Sequence, residues 1–414
     1  MSGILIVGAG PAGMAAAVAA AQSGASEVTV LDDNPSIGGQ IWRAGPTDRL
    51  ASEWFEKFRR TNVRLITGAR VVAGNAECRS LLLDINSKAE QVTYRQLILA
   101  TGARELFLPF PGWTLPNVMG VGGLQALVKC GLPVAGKRII VAGSGPLLLA
   151  VAAYLRKAGA RIPLIAEQVP AKALVSFTMS LALHPGKIWQ AARLNPFTAG
   201  TRYAAGCWVE AAIGVSKVQS VRLRRGARVW HESCDYLANA YGFTANTELA
   251  ALLGCVIEGG AVKVDQAQQT SVDGIYCAGE TAGVGGVETA LLEGQIAGYS
   301  ATGQAANAEK LSAAIGNARS FAASLNATFQ PRAELRTLAQ PDTLVCRCED
   351  VTLANLCRAN SWRSAKLHER CGMGPCQGRI CGPAARFLLG WEPSSVRPPV
   401  FPTRIENLIQ ETSI

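Results

Sequence analysis

The stretch from Ile4 to Asp32, ILIVGAGPAGMAAAVAAAQSGASEVTVLD, limits what this chain can fold into more than any other. Ile4 to Val7 is a short, wholly apolar run, the pattern of a parallel strand buried on both faces. Gly8, Gly10 and Gly13 follow at once as G-x-G-x-x-G. An Ala-rich helical run extends from about Pro11 to Ser23, and a second strand, Glu27 to Leu31, ends in Asp32. Each part has a chemical reason. Gly8 permits a tight turn, Gly10 lets the backbone approach a pyrophosphate, and Gly13 lets helix and strand pack closely. The helix N-terminus offers free N–H groups to phosphates. An acid roughly 20 residues beyond the glycines accepts ribose hydroxyls. The whole constellation predicts a dinucleotide site; a glycine-rich turn alone would not explain the acid.

Further along, DNPSIGGQIWR places Gly38, Gly39 and Gln40 in a flexible loop beside this first site. Residues 49–60 read as an amphipathic helix, 63–73 as strand, turn, strand, and 80–100 as a hairpin. The hairpin ends in LILATGARE, an apolar strand running into Thr101-Gly102. That junction is a recurrent second signature of flavoproteins built from two nucleotide domains. Later, the apolar strand GIYCA runs into Gly279-Glu280 and a helix from about Gly286. Three signals in this order point to FAD. The candidate cofactor-binding residues are Gly8, Gly10, Pro11, Ala12, Gly13, Asp32, Asp33, Gly39, Gln40, Val71, Thr101, Gly102, Gly279 and Glu280.

Residues 138–167, RIIVAGSGPLLLAVAAYLRKAGARIPLIAE, repeat the opening theme. Gly143 and Gly145 match the first two motif glycines, Pro146 follows, and Leu148 replaces the third glycine. Glu167 ends the next strand, where an acid would bind a ribose. A second adenine-nucleotide site, for NAD(H) or ATP, is the reading; the alternative is a Rossmann-like domain that has lost its ligand. Residues 109–135, rich in Pro and Gly, read as a crossover. Residues 206–230 read as strands with turns, and a strand, a glycine turn and a short helix capped near Asn246 follow.

Composition narrows the class. A chain of 414 residues with 43 Gly and 49% hydrophobic content suits a well-packed α/β protein of two or three domains. Nothing reads as a transmembrane helix. A strand begins almost at the N-terminus with no basic segment before it, so no export signal and a cytoplasmic location are expected. The formal charge is +10. Arg222, Arg224, Arg225 and Arg228 alternate with apolar residues, as on one solvated face of a strand. No nucleic-acid motif or interleaved aromatics accompany them, so no nucleic acid is expected. A basic face could instead meet an acidic partner. None of the three histidines, His184, His231 and His368, stands in a recognisable catalytic setting.

The twelve cysteines do not form a secreted disulfide framework in so large a chain. Cys78, Cys130, Cys207, Cys234, Cys255 and Cys277 are scattered and read as buried small hydrophobes. The others crowd into LVCRCEDVTLANLCRANSWRSAKLHERCGMGPCQGRIC. Cys346 and Cys348 form C-x-C; Cys376 and Cys381 form C-x4-C. Two close thiolate pairs suit a metal or cluster. Zinc usually takes C-x-x-C knuckles, so the spacing leans to [2Fe–2S]. Cys371 is a spare ligand, Thr352 an expected N-cap, and Cys357 an expected core residue on a helix.

GSGPLLLAVA, CRCEDV and CGMGPCQGRIC carry a resemblance over nearly the whole chain. The two nucleotide domains resemble the glutathione/thioredoxin-reductase class of flavoproteins, and the C-terminal part resembles a bacterioferritin-associated-ferredoxin type [2Fe–2S] module. Together they are similar to the α subunits of heteromeric FAD-dependent amine and imino-acid dehydrogenases: opine oxidase, D-hydroxyproline dehydrogenase, dye-linked proline dehydrogenase and hydrogen cyanide synthase. The resemblance implies an α/β fold with two Rossmann-like domains and a small helical cluster module. The implied ranges are 1–110 with 240–305 for FAD, 111–239 for the second nucleotide, 306–340 as helix and linker, 341–395 for the cluster and 396–414 as a tail. It implies that Glu280, where Asp is commoner, lies near the ribityl and pyrophosphate part of FAD. It further implies an electron-transfer role, with C–N oxidation on a D-amino-acid-oxidase-like β subunit, joined in some complexes by a small γ subunit. Two other readings stand beside it: a self-sufficient NAD(P)H-dependent flavoprotein reductase, and a non-enzymatic zinc-binding docking module. The nucleotide domains hold no C-x-x-C pair, which argues against disulfide reduction.

Overall fold

The apolar run at the start forms the strand Ser2–Val7, with Leu5 and Ile6 fully buried. It lies between the parallel strands Val28–Asp32 and Lys88–Leu99. Arg64–Thr67 extends this parallel sheet on one side and Ile275–Cys277 on the other. The chain crosses first to one neighbour of the opening strand and later to the other. Such a reversal opens a crevice at the strands' C-terminal ends, where ligands of open α/β sheets bind. The front half of Lys88–Leu99 instead pairs antiparallel with Ser80–Ile85, and that strand with Ala69–Asn75.

The computed structural model describes residues 2–43, 45–46, 48–180, 200–392 and 396–409. The chain forms two compact units, one of Met1–Arg104, Thr244–Ala323 and Ser395–Ile414, the other of Glu105–Phe243 and Ser324–Ser394. No helix among the described residues is long and apolar enough to cross a membrane.

In the first unit the Ala-rich run becomes the helix Pro11–Gln22, buried along most of its length. An all-apolar helix cannot face water and must be covered. The helix Gly286–Ala301 covers it through small residues. A Cβ on Gly294 would stand 2.1 Å from Ala12 O, and one on Gly298 would stand 2.4 Å from Ala16 O. The amphipathic reading of 49–60 holds as the helix Arg49–Arg59, which buries Ala51, Trp54, Phe55 and Phe58. The tail returns to this unit: Val400 N donates to Val72 O at 2.7 Å, and Thr403 Oγ1 to Asp84 Oδ2 at 2.8 Å.

The second unit repeats the plan. Five parallel strands run in the order Arg202–Ala205, Arg161–Glu167, Arg138–Gly143, Tyr236–Ala240 and Val118–Met119. The three antiparallel strands Trp208–Ile213, Ser220–Arg225 and Arg228–Ser233 form a separate sheet. Val221 and Leu223 are buried between the outward Arg222 and Arg224, both of which pair with Glu210. The cysteine-rich segment belongs to this unit. Leu344–Cys346 pairs antiparallel with Val351–Thr352, and the helices Leu353–Leu356, Trp362–Glu369 and Cys381–Leu389 follow. Thr352 caps the first of these, accepting from Asn355 N at 3.2 Å.

Some expectations need correction. Residues 109–135 are more regular than their Pro and Gly content suggests, because they hold the helix Val121–Lys129. Gly120 lacks a capping side chain; Glu105 supplies it from a distance, accepting from Gly122 N at 2.7 Å and Gly123 N at 3.1 Å. Cys78, Cys130 and Cys357 are exposed, not core. Cys78 sits in the turn between two strands, and Cys130 and Cys357 cap helix C-termini. Leu356 takes the buried position next to Cys357.

The helix–helix contact yields a matched pair of substitutions. Gly294→Val should destabilise the first unit by about 3 kcal/mol, because a backbone carbonyl occupies the space its side chain needs. Gly316→Ala, in open space within the helix Ser312–Thr328, should stabilise by about 0.5–1 kcal/mol. Urea unfolding midpoints of the two variants check both signs; equal midpoints would remove the steric argument.

Candidate functional site

The first glycine turn is built by exclusion of Cβ atoms. Gly8 has φ +105°, and a Cβ there would lie 2.2 Å from Ala100 O; at Gly13 it would lie 1.8 Å from Gly8 O. A Cβ on Gly10 would meet, among the described residues, only Gly39 Cα within 4 Å, at 3.7 Å. The turn is therefore packed from below and open above Gly10, the cradle a pyrophosphate needs. Among the described residues no side chain caps the helix Pro11–Gln22, so no carboxylate there competes for its first N–H groups. Pro11 starts that helix, and Ala12 faces Gly279, where a Cβ would meet the Ala12 methyl at 2.7 Å.

Asp32 ends its strand 6% exposed and accepts from Ala9 N at 2.6 Å and from Asn34 N and Nδ2 at 2.8 Å each. It is braced on the turn, with Asp33 beside it. Burial and then the Asp32 charge push the Asp33 carboxyl above its ordinary range. Arg43 reaches Asn34 Oδ1 and Gln40 Oε1 at 3.0 Å each, and its buried Nε has no partner among the described residues. An orphaned guanidinium N–H here fits an absent anionic group. Val71 is buried on Ala69–Asn75.

Thr101, Gly102, Gly279 and Glu280 fall together in the same unit. Thr101 Oγ1 donates to Asn246 O at 2.8 Å and lies 3.1 Å from Thr281 Oγ1. Asn246 returns a bond from Nδ2 to Thr101 O at 2.8 Å, and Arg104 bonds Asn246 Oδ1 at 2.6 Å and pairs with Glu248 at 2.8 Å. Gly279 N donates to Glu293 Oε2 at 3.0 Å; Arg319 holds the other carboxylate oxygen at 2.9 Å. Burial pushes the Glu293 carboxyl up against the pull of Arg319. Burial alone pushes up Glu280. A desolvated acid awaiting a hydroxyl partner suits a polar cofactor chain.

In the second unit Gly143 has φ +131°, and a Cβ would lie 1.7 Å from Ala240 O. Glu167, 1% exposed, accepts from Gly145 N at 2.8 Å and Val169 N at 3.0 Å. Burial raises its carboxyl to about 7. Pro146 precedes the helix Leu147–Lys157, and Leu148 is buried where the first unit has Gly13.

The ligating atoms of Cys346, Cys371 and Cys381 lie within 4.8 Å of one another, all buried. Cys376 contacts Cys381 and Cys348 through its thiol, so five sulfurs form one chain of contacts. Hydrogen bonds from Cys371 and Cys381 hold the Cys346 thiol well below its ordinary range and in turn push those two thiols up. An all-sulfur donor set fits iron–sulfur or zinc ligation. Cys371, a spare on spacing alone, is inside the buried triad, while Cys348 is exposed. By contrast, burial pushes Cys207 and Cys234 up to about 12, which makes them inert thiols.

Thr281, Arg104, Glu293 and Arg319 were not foreseen, and Asn246, expected as a helix cap, instead bonds Thr101 while the helix Glu248–Leu252 starts after Thr247 with no side-chain cap. Glu293 had a signal: it is an acid in the otherwise small and apolar face of TALLEGQIAG. His231 and His368 are exposed, and His184 lies outside the described residues.

Comparison with known proteins agrees with this geometry. Residues 2–310 match the pyridine nucleotide-disulphide oxidoreductase family. The opine oxidase of Agrobacterium tumefaciens (strain Ach5) has an A-type chain that is 31% identical, over 98% of this chain and 91% of that protein. The HcnB component of hydrogen cyanide synthase from Pseudomonas aeruginosa is 32% identical, over 91% of this chain and 90% of that one. The L-proline dehydrogenase structure from P. horikoshii superposes with a TM-score of 0.67 at 19% identity, over 98% of this chain and 79% of that one, a likeness of fold. The chain belongs to the pyridine nucleotide-disulphide oxidoreductase family, among the FAD-dependent oxidoreductases that include these opine oxidase and hydrogen cyanide synthase subunits.

Proposed function

We propose that this chain is the electron-transfer subunit of a heteromeric dehydrogenase that oxidises the C–N bond of an opine, D-hydroxyproline, proline or related amine on a partner subunit. The observation that carries the reading is the pairing, in one chain, of a flavoprotein fold with a five-thiol cluster, in a family whose similar members are named as subunits. The partner would be a D-amino-acid-oxidase-like β subunit, in some complexes with a small γ subunit, in the cytoplasm. The described residues offer no acid–base constellation for a substrate of their own.

FAD would lie on Gly8, Gly10, Pro11, Ala12 and Gly13, with Asp32 and Asp33 at the ribose, Gly39, Gln40 and Val71 along its adenine half, and Thr101, Gly102, Gly279 and Glu280 along the ribityl chain. A [2Fe–2S] cluster would be held by Cys346, Cys348, Cys376 and Cys381, with Cys371 as the competing ligand. Together these groups supply two-electron acceptance and one-electron transfer when bound. The chain's own contributions are local. Gly8 and Gly13 hold the turn open, Glu293 and Arg319 fix the Gly279 N–H, and Arg43 offers a cation to the phosphates.

The test is activity with an artificial dye acceptor on a panel of opines, D-hydroxyproline, proline and glycine, with and without the partner gene product. Activity only in the mixture is expected. Rapid dye reduction from NADH by this chain alone would overturn the reading in favour of a self-sufficient reductase.

The ligand set is checked by iron content and the visible spectrum of single Ser variants. Cys346→Ser and Cys381→Ser should each lose more than about half the iron, since a cluster missing one thiolate is poorly held. Cys357→Ser should lose none. Whichever of Cys348→Ser and Cys371→Ser matches the first pair names the remaining ligand. Stoichiometric zinc without iron would instead support the docking-module reading.

A further inference from the structure

The second glycine turn already has an occupant. Ser144 Oγ, in the turn itself, donates to Phe329 O at 2.8 Å. Gln168 Nε2 donates to Gln330 O at 2.9 Å, and Gln168 Oε1 accepts from Arg332 N at 3.1 Å. The Phe329 ring lies 4.0 Å from where a Gly145 Cβ would stand, and Phe177 packs on it edge-on at 5.3 Å. Arg332 stacks on Trp208 at 4.8 Å. The result is closure: Ser144 is 6% exposed, Glu167 1% and Gln168 0%.

A bound adenine nucleotide needs this same space. Its phosphates must reach Gly145 and the first N–H groups of the helix Leu147–Lys157, where Phe329 now lies. Its ribose must reach Glu167, which is 1% exposed in the closed turn. We infer that the second glycine turn is the seat of the chain's own segment Phe329–Arg332, and that this segment and an adenine nucleotide compete for it, the segment holding it in the resting protein. The segment continues through the buried Leu335 and Leu338 to Leu344–Cys346, whose Leu344 O accepts from Trp113 Nε1 at 2.6 Å. The seat therefore also moors the thiol module to this unit. This inference is independent of the electron-transfer reading.

The competition is measured by titration calorimetry of the full chain, saturated with FAD so that the first turn does not report, against NADH, NAD+ and ATP. The wild-type protein should give no binding heat up to about 1 mM nucleotide. Phe329→Ala and the Ser144→Ala/Gln168→Ala pair should each speed tryptic cleavage at Arg332 and Arg336. Each should raise apparent nucleotide affinity about tenfold or more, because the open fraction rises by that factor. Wild-type binding with Kd below about 0.1 mM would overturn the inference. So would variants with a native circular dichroism spectrum and a freely cleaved segment that still bind nothing.

Discussion

Missing Cβ atoms where one helix meets its neighbours set the geometry of the first unit. Pro11–Gln22 touches the sheet through Gly13, whose Cβ would collide with Gly8 O, and touches its neighbour through that neighbour's Gly294 and Gly298. Backbone meets backbone on both sides. That closeness gives dispersion contacts at native density and leaves the helix little freedom to shift. A phosphate-binding helix must be held this way, because its N-terminal N–H groups act only when correctly aimed. Gly279 closes the same wedge from a third direction, over Ala12.

The second unit departs from this plan in a physically consistent way. Gly143 keeps its close approach to Ala240, but Leu148 stands where Gly13 stands in the first unit. A leucine cannot let helix and strand meet at backbone distance. The turn keeps its shape, while the space above it is filled by an aromatic ring and a strand of linker instead of being left for a ligand. Glu167 braces this turn as Asp32 braces the first, accepting from Gly145 N, and its burial raises its carboxyl to about 7.

Much of this was legible in the sequence where local geometry leaves one solution. G-x-G-x-x-G after an apolar strand requires glycine for steric reasons, so Gly8, Gly13 and Asp32 are found where the pattern puts them. Thr352 capped its helix because a short oxygen side chain before LANL has few other uses. What stayed hidden depends on contacts far apart in sequence. Glu105 caps Val121–Lys129 across 17 residues, Asn246 meets Thr101 across 145, and Ser144 meets Phe329 across 185. Exposure of single cysteines was also illegible, since a free thiol packs in a core or caps a helix equally well.

The thiol cluster shows why spacing alone under-determines a ligand set. C-x-C and C-x4-C name four sulfurs by their proximity along the chain, yet the three deepest are Cys346, Cys371 and Cys381, from both pairs and the spare. Burial decides which thiols lose water and so which most need a cation to share their charge. Cys348 keeps contact with solvent. For the proposed cluster, the choice between Cys348 and Cys371 is thus a choice between a ligand at the surface and a third buried one.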